Sequence, residues 1–159
     1  MAGSSHPSTN SEPLTSTLYT IGYEQHKTPD LLVAALRSAA IERLLDVREL
    51  PISRRRGFAK TALRDALEEA GIVYEHERAL GNPKPYRDLY RSGRQSEGER
   101  GYLAHIRNGS SWAVDELAAT LSEQRTCLLC FERDHRECHR NLIVRELRER
   151  GADVFVRHL

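Results

Sequence analysis

The sequence lacks most features of a secreted, membrane-spanning or strongly charged protein. Its three cysteines all lie between positions 127 and 138, unlike the spread cysteines of a disulfide scaffold, so we expect reduced thiols in the cytoplasm. No apolar run approaches the roughly 20 residues of a membrane span, and the N-terminus lacks the regions of a signal peptide. The formal net charge is only +1, so attraction to nucleic acid or another anion would have to be local. We expect a soluble, cytoplasmic protein that does not bind membranes.

The 159 residues are enough for one domain with a sizeable core and too few for two. Residues 1–16 are rich in Ser, Thr and Pro and are predicted to be a disordered tail, followed by one domain at 17–159. Strand patterns alternate with helical patterns, which predicts a single-domain α/β fold with a parallel, doubly wound, Rossmann-like sheet and helices on both faces. The strands are predicted at 17–21, 43–47, 72–75, 126–131 and 153–157. Residues 78–95, which contain several Pro and Gly, are predicted to be a long irregular segment.

Polar and reactive residues lie at the carboxyl ends of four of the predicted strands. Open parallel sheets place their ligands at the carboxyl ends of the strands, so we expect these residues to form one site. They are Gly22, Tyr23, Asp46, Arg48, His76, Cys130 and Glu132.

Cys138, His139 and Arg140 stand where the helix after the fourth strand is predicted to begin. A thiol at a helix N-terminus beside cationic residues ionises more readily than a free one, although a buried structural thiol is the alternative. The interpretation makes Cys138 or His139 a nucleophile or proton carrier. Asp46 or Glu132 would then be the general acid or base. Cys127 is predicted to be a small core residue.

The main interpretation is a site without a metal or a cofactor. Cys130, His135, Cys138 and His139 include the residue types that bind zinc, but adjacent side chains on a helix diverge. A zinc site at Cys130 and Cys138 therefore stays an alternative.

Sulfur transfer of the rhodanese type is a second alternative, because a cysteine stands at the end of a strand. The loop that follows has no glycine, however, and is therefore poorly suited to bind an anion with its backbone N–H groups.

Two basic clusters accompany the predicted site. Residues 48–64 contain six basic residues and one acidic residue, and Lys84, Arg87, Arg91 and Arg94 follow. Such runs are commonly solvated faces, but beside a polar pocket they favour phosphate binding. Tyr86 and Tyr90 could stack on bases or anchor a loop. The predicted substrate-binding residues are Gly22, Tyr23, Arg48, Arg54, Arg55, His76, Cys130 and Arg140.

Four ordered segments resemble the motifs of the domain-of-unknown-function 488 (DUF488) family: TIGY at 20–23, LLDVRELPISRRRGF at 44–58, GIVYEHERALG at 71–81 and LLCFERDHRECHR at 128–140. The resemblance implies an α/β domain in which Asp46-Val47-Arg48 and Cys138-His139-Arg140 are recurring motifs. It supplies no established reaction.

From these residues we predict an enzyme, a hydrolase or transferase, that acts on an anionic small molecule, a nucleotide or nucleic acid. Arg48 and Arg140 would hold a phosphate group. The non-enzymatic alternative is a nucleic-acid-binding module that uses the basic stripe Arg54 to Arg56.

Overall fold

The computed structural model describes residue 3 and residues 15–159, so nearly all of the predicted tail lies outside the described residues. The five strands are β1 (Ser16–Gly22), β2 (Arg43–Asp46), β3 (Val73–His76), β4 (Thr126–Cys130) and β5 (Val154–His158). The six α-helices are α1 (Pro29–Ser38), α2 (Lys60–Glu69), α3 (Lys84–Arg91), α4 (Gln95–His105), α5 (Ser111–Thr120) and α6 (Arg140–Glu149). Within the described part of the chain, no helix is both long and apolar enough to cross a membrane.

All five strands are parallel, in the order β3-β2-β4-β1-β5, which confirms the predicted α/β fold. Alternate residues of each strand face opposite sides, so the sheet contributes to two apolar clusters. Leu32 of α1 and Leu63 of α2 belong to one cluster, and Val114 of α5 and Ile143 of α6 belong to the other. Helices therefore cover both faces of the sheet. Strands β2 and β4 are buried along their whole length, as expected of interior strands.

Local signals in the sequence account for the ends of the first two helices. The Thr28 hydroxyl oxygen accepts a hydrogen bond from the Leu31 N–H, at 3.3 Å, and Pro29 occupies the first helical position of α1. Gly71 follows α2 with φ of +77°, the left-handed conformation that commonly ends a helix.

The prediction of an irregular segment at 78–95 is wrong in its middle part, where α3 runs from Lys84 to Arg91. Pro83 and Pro85 stand at the start of this helix, where a missing N–H leaves no helical hydrogen bond unmade. Gly93, with φ of +78°, follows its end. These prolines therefore begin a helix, although in the sequence they suggested a loop.

The last helix begins two residues later than predicted, at Arg140 instead of Cys138. A turn of 3-10 helix at His135–Glu137 comes first, and Cys138 is extended, with φ of −132° and ψ of 147°. Cys138 and His139 are therefore not successive residues of one helix. The expectation that their side chains diverge was based on a helix that is absent at this point.

Candidate active site

A cavity of about 560 Å³ opens at the carboxyl edge of the sheet. Gly22 at the end of β1 is in register with Cys130 at the end of β4. From these neighbouring strands the chain leads to helices on opposite faces, and the resulting crevice is where open α/β sheets bind ligands. Four of the predicted site residues line the cavity close together: Cys130, Glu132, Cys138 and His139.

Three of these side chains bring possible ligand atoms together. The Sγ atoms of Cys130 and Cys138 lie 3.9 Å and 3.7 Å from Nδ1 of His139. All three atoms lie within 4.8 Å of one another, and each residue is buried. The Glu132 carboxylate adjoins this group, since its Oε2 lies 3.0 Å from the Cys130 Sγ.

The backbone of β2 fixes the orientation of His139. Its Nε2 lies 2.8 Å from the carbonyl oxygen of Val47, the residue after β2. A carbonyl oxygen only accepts, so this nitrogen carries a proton and donates. Nδ1 therefore faces the two cysteines. The fully buried ring of Tyr102 packs edge-on against the imidazole, at 5.3 Å between centroids, and supports it from α4.

Burial and charge shift the pKa of each group in this cluster. Burial alone would raise the pKa of the Cys138 thiol, but a hydrogen bond with Cys130 and the His139 charge outweigh burial and lower it well below its usual value. The pKa of Cys130 is raised by the hydrogen bond with Cys138 and by burial. For His139 burial opposes the charged form, yet the negative charge of Cys138 raises the pKa. Burial and the same charge raise the pKa of Glu132.

Arg140 places a buried positive charge beside the cluster. Its side chain is 1% exposed, and its guanidinium donates to the backbone carbonyl of Glu132. Among the described residues, no carboxylate forms a salt bridge with Arg140, and Nε has no hydrogen-bond partner. A buried cation is costly unless it is compensated, so Arg140 favours negative charge on the nearby thiols. Its predicted role as a phosphate ligand remains a prediction, and its contacts favour a role in positioning Glu132.

Asp46 and Arg48 form a buried ion pair with each other. Arg48 donates to both carboxylate oxygens, at 2.8 Å and 2.6 Å, and to the carbonyl of Phe58, while the Tyr74 hydroxyl donates to Asp46 at 2.6 Å. Burial lowers the Arg48 pKa, but the bond to Asp46 outweighs this and the net pKa is raised. Asp46 is fully buried and does not line the cavity. Arg48 does line it, but its guanidinium is bonded to Asp46 and to the Phe58 carbonyl. These contacts favour a structural role over acid–base catalysis or phosphate binding.

Several other predicted residues lie outside the group of thiols and imidazole. Arg55 donates to the carbonyls of Tyr23, Glu24 and His26, so it closes a loop and leaves only Arg54 and Arg56 exposed in the basic stripe. The His76 ring bonds the Arg48 carbonyl. His135, considered as a zinc ligand, stacks on His158 with 3.5 Å between centroids. Tyr86 packs against the core, whereas Tyr23 and Tyr90 line the cavity.

Two residues of the cavity were not singled out as ligand-binding residues from the sequence. Asn82 is 5% exposed, and its Oδ1 is buried without a hydrogen-bond partner among the described residues. Arg87 was noted only as part of a basic cluster, but its Nε is also buried and unpartnered, again within the described residues. The only sequence signal for Asn82 was its position between Gly81 and the proline that starts α3.

Comparison with known proteins gives one family. The model described as "Domain of unknown function DUF488" matches residues 28–147 of the 159-residue chain. The match includes β2, β3, β4 and all three residues of the cysteine and histidine cluster. No curated protein and no solved structure matches the chain.

Proposed function

The chain belongs to the DUF488 family, and we propose that it is a zinc-dependent hydrolase that acts on a small anionic molecule in the cavity. The observation that carries the proposal is the convergence of two thiols and one imidazole nitrogen within 4.8 Å at the cavity wall. Cys130, Cys138 and His139 would hold the metal. Three protein ligands and one open position are typical of catalytic zinc sites.

The distances support a tetrahedral site. Zinc bonds of about 2.3 Å to sulfur and 2.0–2.1 Å to nitrogen give a sulfur-to-nitrogen distance of about 3.6 Å at the tetrahedral angle. The two sulfur-to-nitrogen distances, 3.7 and 3.9 Å, exceed this value by no more than about 0.3 Å, so a small movement of the side chains completes the site. The bond from His139 Nε2 to the Val47 carbonyl is the outer hydrogen bond that metal-binding histidines usually make. Two thiolates balance the charge of Zn²⁺, which suits a buried position.

The remaining groups fit hydrolysis. A zinc ion held by these three residues would supply a Lewis acid that activates the attacking water. Glu132 lies beside Cys130 on the cavity wall, so its carboxylate can take a proton from the attacking water and return it to the leaving group. Arg140 holds the backbone of Glu132 in place.

The cavity also contains groups for a negatively charged substrate. Arg91 lies on its wall, with a side chain 76% exposed and, among the described residues, only a long contact of 3.8 Å to Asp88. Its guanidinium can therefore bind a phosphate or carboxylate, which arginine does with two parallel hydrogen bonds. The predicted nucleotide substrate therefore stays part of the proposal, with Arg91 in place of Arg48.

Sulfur transfer and nucleic-acid binding by the basic stripe have less support. Rhodanese-type chemistry needs backbone N–H groups directed at an anion, but the N–H groups of Arg133, Arg136, Glu137 and Cys138 are bonded within the protein. In the basic stripe Arg54 to Arg56, the Arg55 guanidinium is hydrogen-bonded to three backbone carbonyls and is not available to bind nucleic acid.

The test is elemental analysis of untagged protein purified without chelators. We expect about one zinc per chain, and loss of most of it in Cys130→Ala, Cys138→Ala and His139→Ala. Cys127→Ala is the matched control, because Cys127 is a buried cysteine of the same strand whose side chain belongs to the core between β4 and the α1–α2 layer. Zinc in all four proteins, or zinc that depends on Cys127, would contradict the site.

A metal-free thiol enzyme is the second candidate, favoured by the 3.7 Å contact between the Cys138 thiol and His139 at the cavity. Cys138 would be the nucleophile and His139 the proton carrier. Thiol titration of the native protein separates the two proposals. One fast-reacting thiol that disappears in Cys138→Ala, in protein without metal, supports the nucleophile. Thiols that react only after chelation support zinc.

A further inference from the structure

Two unsatisfied polar atoms occur among the residues that line the cavity. Asn82 Oδ1 is a buried acceptor without a donor, and Arg87 Nε is a buried donor without an acceptor, among the described residues. Most buried polar groups in proteins have partners, so a pair of orphans in one cavity requires an explanation. A ligand that supplies one donor and one acceptor would satisfy both.

Both side chains are largely enclosed. Asn82, between Gly81 and the Pro83 that caps α3, is 5% exposed. Arg87 lies one turn into α3, and its Nη1 forms an ion pair with the Glu49 carboxylate at 3.1 Å, which leaves Nε without a partner among the described residues. The ion pair restrains the Arg87 guanidinium before a ligand binds, which reduces the entropy lost on binding.

Aromatic and apolar side chains also line the cavity. They are Tyr90, Leu50, Ile52 and Phe131, of which the last three are 48%, 71% and 42% exposed. Tyr23 lines the cavity too, but its ring is stacked on Phe58 at 4.7 Å between centroids and lies under the Arg48 guanidinium, so it is not available to a ligand. Aromatic rings stack on planar heterocycles whatever the substituents of the heterocycle. Apolar walls with a few fixed polar groups are the usual composition of a small-molecule site.

We propose that Asn82 and Arg87 form a recognition subsite for a nucleobase, a planar nitrogen heterocycle that presents an N–H donor next to a carbonyl or ring-nitrogen acceptor. The base N–H donates to Asn82 Oδ1, and its acceptor receives the Arg87 Nε–H. The base lies between the aromatic and apolar walls, and the phosphate of the nucleotide is directed toward Arg91. The substrate of the hydrolase proposed above would then be a nucleotide, and the biological meaning of the subsite rests on that proposed function.

The test is calorimetric titration of the purified protein with AMP, GMP, CMP, UMP and ribose 5-phosphate. At least one nucleotide should bind at least tenfold more tightly than ribose 5-phosphate, which has the phosphate without a base. Asn82→Ala should weaken the binding of that nucleotide about tenfold, because the N–H of the bound base is then left without an acceptor. Asn82→Leu, which keeps the approximate side-chain size but has no acceptor, should weaken the same nucleotide to a similar extent and replaces the alanine variant if that variant folds poorly. Asn108→Ala, at an exposed asparagine that does not line this cavity, should bind as the wild type does.

A single-stranded hexanucleotide distinguishes the two sources of a base. Binding of mononucleotides with Asn82 dependence indicates a free nucleotide, whereas binding of the hexanucleotide alone with the same dependence indicates a base within a strand; both support the subsite. Equal affinity for ribose 5-phosphate, unchanged affinity in Asn82→Ala, or no binding of any probe would overturn it.

Repeating the titration with Cys138→Ala separates this proposal from the metal site. Base binding that persists without zinc supports the subsite whatever the metal analysis shows. Stoichiometric zinc with no base binding removes the subsite and leaves the zinc site standing.

Discussion

A Cβ atom on Gly22 would lie 1.8 Å from the carbonyl oxygen of Glu132, so the end of β1 and the loop after β4 touch backbone to backbone. Two hydrogen bonds reinforce the contact: Glu24 N–H donates to the Phe131 carbonyl at 2.9 Å, and Arg133 N–H donates to the Glu24 carboxylate at 2.8 Å. Glycine is required here for the close approach. Gly22 is a predicted substrate-binding residue, and its contact in the structure favours a role in positioning Glu132.

Gly22→Ala should therefore displace the Glu132 loop and disturb the cysteine and histidine cluster. We expect a loss of roughly 1–3 kcal/mol in the free energy of unfolding, the usual cost of forcing an extra methyl group into a packed site. Chemical denaturation measures the stability, and elemental analysis measures the bound zinc. Gly109→Ala is the control, because a Cβ there meets no atom within 4 Å and the residue has no positive φ. Equal effects of the two substitutions would contradict the positioning role.

The buried pair of Asp46 and Arg48 gives a second prediction. Asp46→Asn leaves the Arg48 guanidinium buried without its counter-charge, and breaking such a pair costs about 3–5 kcal/mol of stability. Tyr74→Phe removes only one hydrogen bond to the same carboxylate and should cost about 1.5–3 kcal/mol. Urea denaturation should show this order.

Glu75→Gln serves as the control for the second prediction, since Glu75 pairs with Arg43 at 3.5 Å while half exposed. Exposed pairs contribute about 1 kcal/mol or less. If Asp46→Asn were as stable as the wild type but inactive, the structural role of Asp46 would be wrong, and Asp46 would again be a candidate general acid or base.

Local sequence patterns predict part of this structure. The parallel sheet and the position of Cys130 at a strand end followed from local patterns of apolar residues and turns. These patterns depend on neighbours in sequence. The start of α6 did not follow, because the 3-10 turn at His135–Glu137 shifts it to Arg140.

That two-residue difference changed the chemistry expected of the site. On a helix, Cys138 and His139 would point apart. With Cys138 extended and His139 held by the Val47 carbonyl, 92 positions away in the chain, the thiol and imidazole meet. Likewise, nothing near Asn82 in the sequence indicates an unpaired buried oxygen, because that property depends on which distant segments surround it.

The stacked pair of His135 and His158 predicts a pH dependence of stability. Burial, repulsion from His135 and repulsion from Arg140 lower the pKa of His158 from 6.5 to about 4, and Asp134 opposes this only weakly. Neutral Nδ1 lies 2.6 Å from the Thr20 hydroxyl, which donates to it and ties β5 to β1. The unfolded chain binds a proton near pH 6.5 and the folded chain near pH 4, so the unfolded state holds more protons between these values. Stability is therefore greatest above pH 6.5 and falls as the pH drops toward 4.

Chemical denaturation between about pH 7 and pH 4 checks this prediction, together with an NMR titration of the His158 ring. His158→Gln should lose less stability than the wild type over this range. His135→Gln removes the neighbouring ring and its charge, so the pKa of His158 should rise toward its ordinary value and the pH dependence should shrink. The loss in the wild type should be smaller than the full pKa shift implies, because the His158 side chain is exposed enough for solvent to screen its charge. A His158 ring that titrates near 6.5 in the folded wild-type protein would contradict the stacked arrangement.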